Sequence, residues 1–143
     1  MRPRAWALII SLSVAAAGAS AATIALAGRP GVIGCPGSAV TSVIDCRAVV
    51  TSPGGHILGL PLGVWGLVWL AVFWGLAVLR RGVVGWIVAA AAYLGIAYAV
   101  GTELKVGHLC VWCTLNQASI AALAAWRLMQ KGGAEGGGTR PGS

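Results

Sequence analysis

Charge is what this chain has least of. Of 143 residues only 9% are charged and three are acidic, while 58% are hydrophobic. With a mean hydropathy of +0.86, this composition excludes a water-soluble globular domain, in which charged residues make up about a quarter. Internal repeats and a second, soluble domain are also missing. The net charge of +7 would suggest nucleic acid in a soluble protein. Here the basic residues flank apolar runs instead of forming a patch interleaved with aromatics, which excludes nucleic-acid binding.

What is present is apolar sequence in long runs. Four segments, 6–27, 58–79, 83–101 and 109–128, each approach the ~20 residues at ~1.5 Å rise that a ~30 Å hydrocarbon core requires. They predict an all-α integral membrane protein: a four-transmembrane-helix bundle over residues 1–131 with an outer loop, 28–57, as its cap. Residues 132–143 are too poor in apolar side chains to fold and are expected to be disordered. The first segment has an alternative as a cleaved signal peptide, with a basic start and small residues at 18–22, but its apolar stretch exceeds the usual ~7–15 residues.

If four helices alternate, Arg2, Arg4, Arg80, Arg81, Arg127, Lys131 and Arg140 fall on one side and Arg29, Arg47 and Lys105 on the other. The positive-inside bias then puts both termini in the cytoplasm. All cysteines face outward, where disulfides persist. Within the outer loop, 42–51 predicts a short interfacial helix with Ser42 as N-cap and Pro53-Gly54-Gly55 as its stop, carrying Cys46 near the membrane surface. Gly59, Gly63 and Gly66 beside Pro61 predict close packing, and a cavity, at the outer end of the second helix. Trp65, Trp69 and Trp74 read as packing or lipid-facing residues. Arg80-Arg81-Gly82 reads as a tight turn, and Glu103 and Lys105 as solvated interfacial charges in a short connection.

The chemistry lies in four cysteines, one spaced pair (Cys35, Cys46) and one Cys-x-x-Cys (Cys110, Cys113). A Cys-x-x-Cys opening a helix places both sulfurs on one face, and the terminal amides stabilise thiolate at the first. Two dithiols passing electrons between them is one reading. An inert Cys35–Cys46 staple with Cys110 as a buried small hydrophobe is a second. A zinc site using the thiols with His56 and His108 is a third, against which the apolar host argues.

The run D-C-R-A-V-V-T-S, then H-I-L-G-L-P-L-G-V-W-G-L-V-W and, fifty residues on, C-V-W-C-T-L-N resembles the vitamin K epoxide reductase family in a bacterial, stand-alone form. The resemblance implies a quinone-dependent thiol–disulfide oxidoreductase of the bacterial cytoplasmic membrane. It implies that Cys35 meets a separate thioredoxin-fold, DsbA-like partner, that Cys46 exchanges with Cys110, and that Cys113 faces a quinone, menaquinone or ubiquinone. No metal or flavin enters this chemistry. Ser52 matches the family's loop serine near the quinone pocket, and Gln117 stands where animal members have a tyrosine, so epoxide reduction is not implied. Many bacterial members continue into a fifth helix and a thioredoxin-like domain; this chain stops, so its partner is expected to be separate.

The quinone is expected at the outer end of the bundle among Cys113, Ser52 and the segment from Pro61 to Trp65. Leu58, Leu62 and Trp112 would bury the ring, and Ser52 or Gln117 would hold its carbonyls. The plainer reading has Ser52 capping the loop and Gln117 bonding locally. Two rival functions remain at this stage. One is the disulfide-bond protein B type of quinone-linked oxidase, in which the order of the two cysteine pairs is reversed. The other is a non-enzymatic membrane protein braced by outer disulfides.

Overall fold

The structure, a computed structural model, describes residues 3–29, 31–79 and 82–135. Apolar runs without interior proline form four long helices: α1 (Pro3–Gly28), α3 (Leu62–Leu79), α4 (Gly82–Val106) and α5 (Val111–Glu135). Between α1 and α3 lie a five-residue helix, α2 (Cys46–Val50), a 3-10 turn at Pro53–Gly55 and a small hairpin, β1 (His56–Ile57) with β2 (Leu60–Pro61). Two helices are long and apolar enough to cross a membrane, over Arg4–Gly28 and Val83–Val106, and a shorter apolar stretch covers Leu62–Leu76. α5 carries Thr114, Asn116, Gln117, Ser119 and Arg127, which dilute its hydropathy.

α1 packs against both α5 and α3, and α4 closes the bundle against α5. One core gathers Ile9, Ala16, Leu70, Phe73, Ala89, Ile120 and Leu123. Around it the Trp69 indole donates to the Val88 carbonyl at 2.9 Å and Trp74 to the Ser13 hydroxyl at 3.2 Å. The buried face of α1 is small, with Ala16, Ala19, Ser20, Ala22 and Thr23, and it meets two glycines of α3. A Cβ on Gly63 would lie 2.6 Å from the Ser20 carbonyl, and one on Gly66 would lie 2.8 Å from Ser20 Oγ and the Asn116 amide. Small residues let backbones approach closely, and that contact is what holds helices together where lipid competes for apolar surface. Leu8, Val14, Val83, Leu94 and Leu104 point outward and are mostly exposed, an apolar exterior that suits hydrocarbon and would aggregate in water.

Several boundaries differ from the sequence reading. The second long helix starts at Leu62, not 58, because Leu58 (φ 53°) and Gly59 (φ 77°) form the two-residue turn of the hairpin that pairs His56 with Pro61 and Ile57 with Leu60. Two consecutive positive-φ residues give the twist that a tight hairpin requires. α4 runs past Gly101 to Val106, and its left-handed stop is Gly107 (φ 74°), whose N–H reaches the Glu103 carbonyl at 2.9 Å, as a C-terminal glycine cap does. Glu103 is therefore a helical residue, and it is buried; the reading as a solvated loop charge is corrected, while Lys105 is exposed. The short helix begins at Cys46 with Asp45 as N-cap, in place of Ser42. Asp45 Oδ1 accepts from Ala48 N at 3.0 Å, satisfying an otherwise unpaired helix donor. α5 continues to Glu135, so residues 132–135 of the expected tail are helical. Residues 136–143, Arg2 and the Arg80–Arg81 turn lie outside the described residues.

Candidate active site

The four cysteines converge where α1 and α4 end and α5 begins. Cys46 and Cys110 have no solvent exposure and share one buried cluster with Leu26, Val49 and Val50. Cys35, Trp112 and Cys113 pack around it, each partly exposed. Cys46, expected near the membrane surface, is enclosed by protein, with Ile33, Cys35 and the start of α5 packed around it.

Backbone hydrogen bonds fix this meeting. Segment 43–45 runs parallel to Leu109 through an isolated bridge, in which Asp45 N donates to the Leu109 carbonyl at 3.1 Å and Leu109 N to the Val43 carbonyl at 2.8 Å. Asp45 and Leu109 are each next to a buried cysteine, Cys46 and Cys110. The His108 ring approaches the Ser42 carbonyl at 3.2 Å, and the Trp112 indole donates to the Gly34 carbonyl at 3.1 Å. The loop around Cys35 and the start of α5 are thus joined on both sides of the cysteines.

Two disulfides are present, Cys35–Cys46 with a Cα separation of 5.6 Å and Cys110–Cys113 with 5.1 Å. Cys110 stands in the N-cap position of α5: its carbonyl accepts from Thr114 N at 2.8 Å, and its sulfur accepts from Cys113 N at 3.2 Å. A sulfur there receives the unpaired donors of the first turn, which favours thiolate. Cys35 Sγ accepts from Cys46 N at 3.2 Å.

Below Cys113 opens a cavity of about 440 Å³ between α3, α4 and α5. Its lining is apolar (Ile57, Leu62, Trp65, Val72, Ile87 and Ile96 among others), with Thr23, Glu103, Asn116 and Gln117 as the polar members. Gly63, Gly66, Ala91, Ala92, Gly95 and Ala99 line it too, so small side chains on facing helices leave the space. On α4 the lining extends from Ile87 to Glu103, a rise of about 24 Å along the helix. Such a space, mostly apolar with a few convergent polar groups, suits a flat ring bearing an apolar tail.

The residues singled out for the quinone divide between the cavity and its surroundings. Trp65 and Gln117 line it together with Cys113, whereas Ser52, Pro61 and Trp112 do not. The Ser52 hydroxyl donates to the Val49 carbonyl at 2.7 Å and accepts from Gly55 N at 3.1 Å, which makes it a loop clamp. Gly55 completes that clamp, since a Cβ there would lie 2.6 Å from the Val50 carbonyl. Pro61 belongs to β2, Trp112 spans to Gly34, and Leu58 sits 86% exposed at the hairpin tip. The Trp65 indole donates to the Ile57 carbonyl at 3.1 Å, so its ring is held at the cavity wall.

Three polar lining residues, Thr23, Asn116 and Glu103, escaped the sequence reading. Asn116 follows Cys113 by three positions, so helical spacing alone puts both on one face; its Oδ1 accepts from Ser20 Oγ at 3.2 Å. Glu103 accepts from Gln117 Nε2 at 3.2 Å. An acidic residue inside an apolar helix was the signal there, lost when the helix was ended at Gly101. Among the described residues no three His, Cys, Asp or Glu side chains cluster as a metal site would require.

A family profile described as the Vitamin K epoxide reductase family matches residues 5–128, a span that holds α1 through most of α5 and all four cysteines. Neither the curated proteins nor the solved structures contain a match. Family members are membrane redox enzymes, in keeping with the two paired dithiols and the apolar helices described above. The chain belongs to the vitamin K epoxide reductase family.

Proposed function

We propose that the protein reoxidises a thioredoxin-fold partner outside the cytoplasm and passes the electrons to a membrane quinone. The observation that carries this reading is the arrangement of the sulfurs: one dithiol reaches the surface through Cys35, the other reaches the cavity through Cys113, and their inner members, Cys46 and Cys110, are buried in one cluster.

The steps follow from thiolate exchange. A partner thiolate attacks Cys35, releasing Cys46, and the partner's second thiol resolves the mixed disulfide, so the partner leaves oxidised. Cys46 then attacks Cys110, releasing Cys113, and Cys35 attacks Cys46 to restore the outer disulfide and free Cys110. The Cys110–Cys113 dithiol loses two electrons and two protons to the quinone, giving quinol and the inner disulfide. Amides at the start of α5 stabilise the Cys110 thiolate, and the apolar cavity keeps water from the acceptor. Menaquinone and ubiquinone both have a flat ring and a long apolar tail, matching the cavity's shape and lining.

Purified protein mixed with a reduced thioredoxin-fold protein and a short-chain ubiquinone should bleach the quinone absorbance in proportion to partner thiols oxidised. Absence of partner-dependent quinone reduction would remove the proposal. The accompanying topology has both termini cytoplasmic and four crossings, supported by the seven-to-three bias of basic residues. An alkaline-phosphatase fusion after Gly133 should accordingly be inactive; an active one would reverse the orientation and place the cysteines in a reducing compartment.

A further inference from the structure

Quinone reduction moves protons as well as electrons, and apart from the cysteine the cavity holds one group able to donate a proton. Of the lining residues only Glu103 and Cys113 titrate in the ordinary range; Thr23, Asn116 and Gln117 are neutral. Glu103 is 5% exposed, lies one turn inside the Gly107 stop of α4, and accepts from Gln117 Nε2 at 3.2 Å. Gln117 in turn follows Cys113 by four residues, about one helical turn, on the same face of α5. A carboxyl group, its amide partner and a redox-active sulfur therefore border one space. Buried acids in apolar helices are costly and are kept where they serve transport or chemistry. Structure alone does not need this one, because Gly107 already ends α4 and Thr102 already ties α4 to the loop by donating to the Gly54 carbonyl at 3.4 Å.

We infer that Glu103, with Gln117 as its positioning residue, delivers a proton to the quinone oxygen as the inner dithiol is oxidised, an assignment that rests on the quinone reading above. Two S–H bonds break, the Cys110–Cys113 bond forms, and the ring gains two O–H bonds. One of those protons comes from the Glu103 carboxylic acid. The carboxylate left behind takes up the proton released from Cys113, so the carboxyl group ends each turnover as it began; the second O–H takes the proton that the Cys110 thiol gives up as it becomes the thiolate that the α5 amides stabilise. Electrons travel only between sulfur and ring.

The test uses the full-length chain in lipid nanodiscs with dithiothreitol as donor and a short-chain ubiquinone as acceptor. Glu103→Gln keeps the shape and the contact with Gln117 but has no proton to give. It should lower kcat about 10²-fold, as loss of a general acid does, with KM within about twofold. Glu103→Asp should recover a substantial part of that rate. In the wild type, kcat carries a limb that falls as pH rises and the acid deprotonates; Glu103→Gln should lack it. The other groups on the elements packed here are common to both proteins: Cys110 and Cys113 on α5, Asp45, Cys46 and Arg47 at α2, His56 beside the 3-10 turn, and Tyr98 and Lys105 on α4. The difference between the profiles therefore belongs to Glu103. A wild-type kcat in Glu103→Gln across the pH range, or a change confined to KM, overturns the assignment. Should Glu103→Gln fail to fold, Glu103→Asp decides: a displaced limb supports the role and an unmoved one overturns it. A wild-type chain that does not reduce quinone at all defeats the parent reading instead, so the two failures are distinguishable.

Discussion

Cys113→Ala is expected to bring quinone reduction down to the rate without enzyme and to accumulate a Cys46–Cys110 disulfide. With alanine at 113, Cys110 has no inner partner; its thiolate attacks Cys46 in the Cys35–Cys46 disulfide and releases Cys35 as thiolate, and no Cys113 thiol is present to resolve the Cys46–Cys110 bond and carry the electrons onward. Both sulfurs are at 0% exposure, which shields the trapped bond from small thiols in solution. Non-reducing mass spectrometry of the variant, isolated across a range of redox poise, reads the linkage directly. Finding Cys35–Cys46 alone under every condition would mean that the two pairs do not communicate. A protein in which the disulfides merely brace the outer face would behave differently, losing melting temperature with no new linkage.

Cys35→Ala should separate the two halves of the relay. With dithiothreitol as donor the inner dithiol still turns over with quinone, whereas oxidation of a protein partner falls to background. Burial is the reason: Cys46 has no exposed surface, so a folded partner that finds no Cys35 has no route to it. A small reductant can reach Cys113, which is partly exposed and borders the cavity. The measurement is a pair of initial rates on one preparation, one with each donor. Wild-type partner oxidation in the variant would move the docking thiol elsewhere.

Much of this was legible in the chain. The long apolar runs marked four helices because nothing interrupts them, and the Cys-x-x-Cys sits where α5 begins because Cys110 also serves as its cap. The errors lie where local signals compete. Leu58 looked like the first residue of an apolar helix, yet hydropathy cannot distinguish a helical start from a hairpin tip, and Gly59 with Pro61 tipped the choice. Gly101 looked like the end of α4, but a glycine inside a membrane helix is ordinary, and only the backbone at Gly107 shows the left-handed stop. That misplaced end carried Glu103 out of the helix and hid it from the cavity. Asp45, three residues past Ser42, was the better cap because its carboxylate reaches Ala48 N. The bridge between Val43, Asp45 and Leu109 has no sequence signal, since it pairs irregular segments more than sixty residues apart.

That bridge matters most when the disulfides are open. Between them, the Val43–Leu109 and Asp45–Leu109 bonds and the Trp112–Gly34 bond pin both ends of the segment that carries Cys35 and Cys46. Breaking Cys35–Cys46 therefore does not release an eleven-residue loop to wander, as it would if the covalent link were its only tether. With both ends held, the sulfurs keep a higher effective concentration than the millimolar values that flexible linkers of such length give. In the proposed relay, exchange inside the protein would then outrun capture by free thiols, so that an electron pair entering at Cys35 would be committed to the membrane side before a competing thiol in solution could divert it.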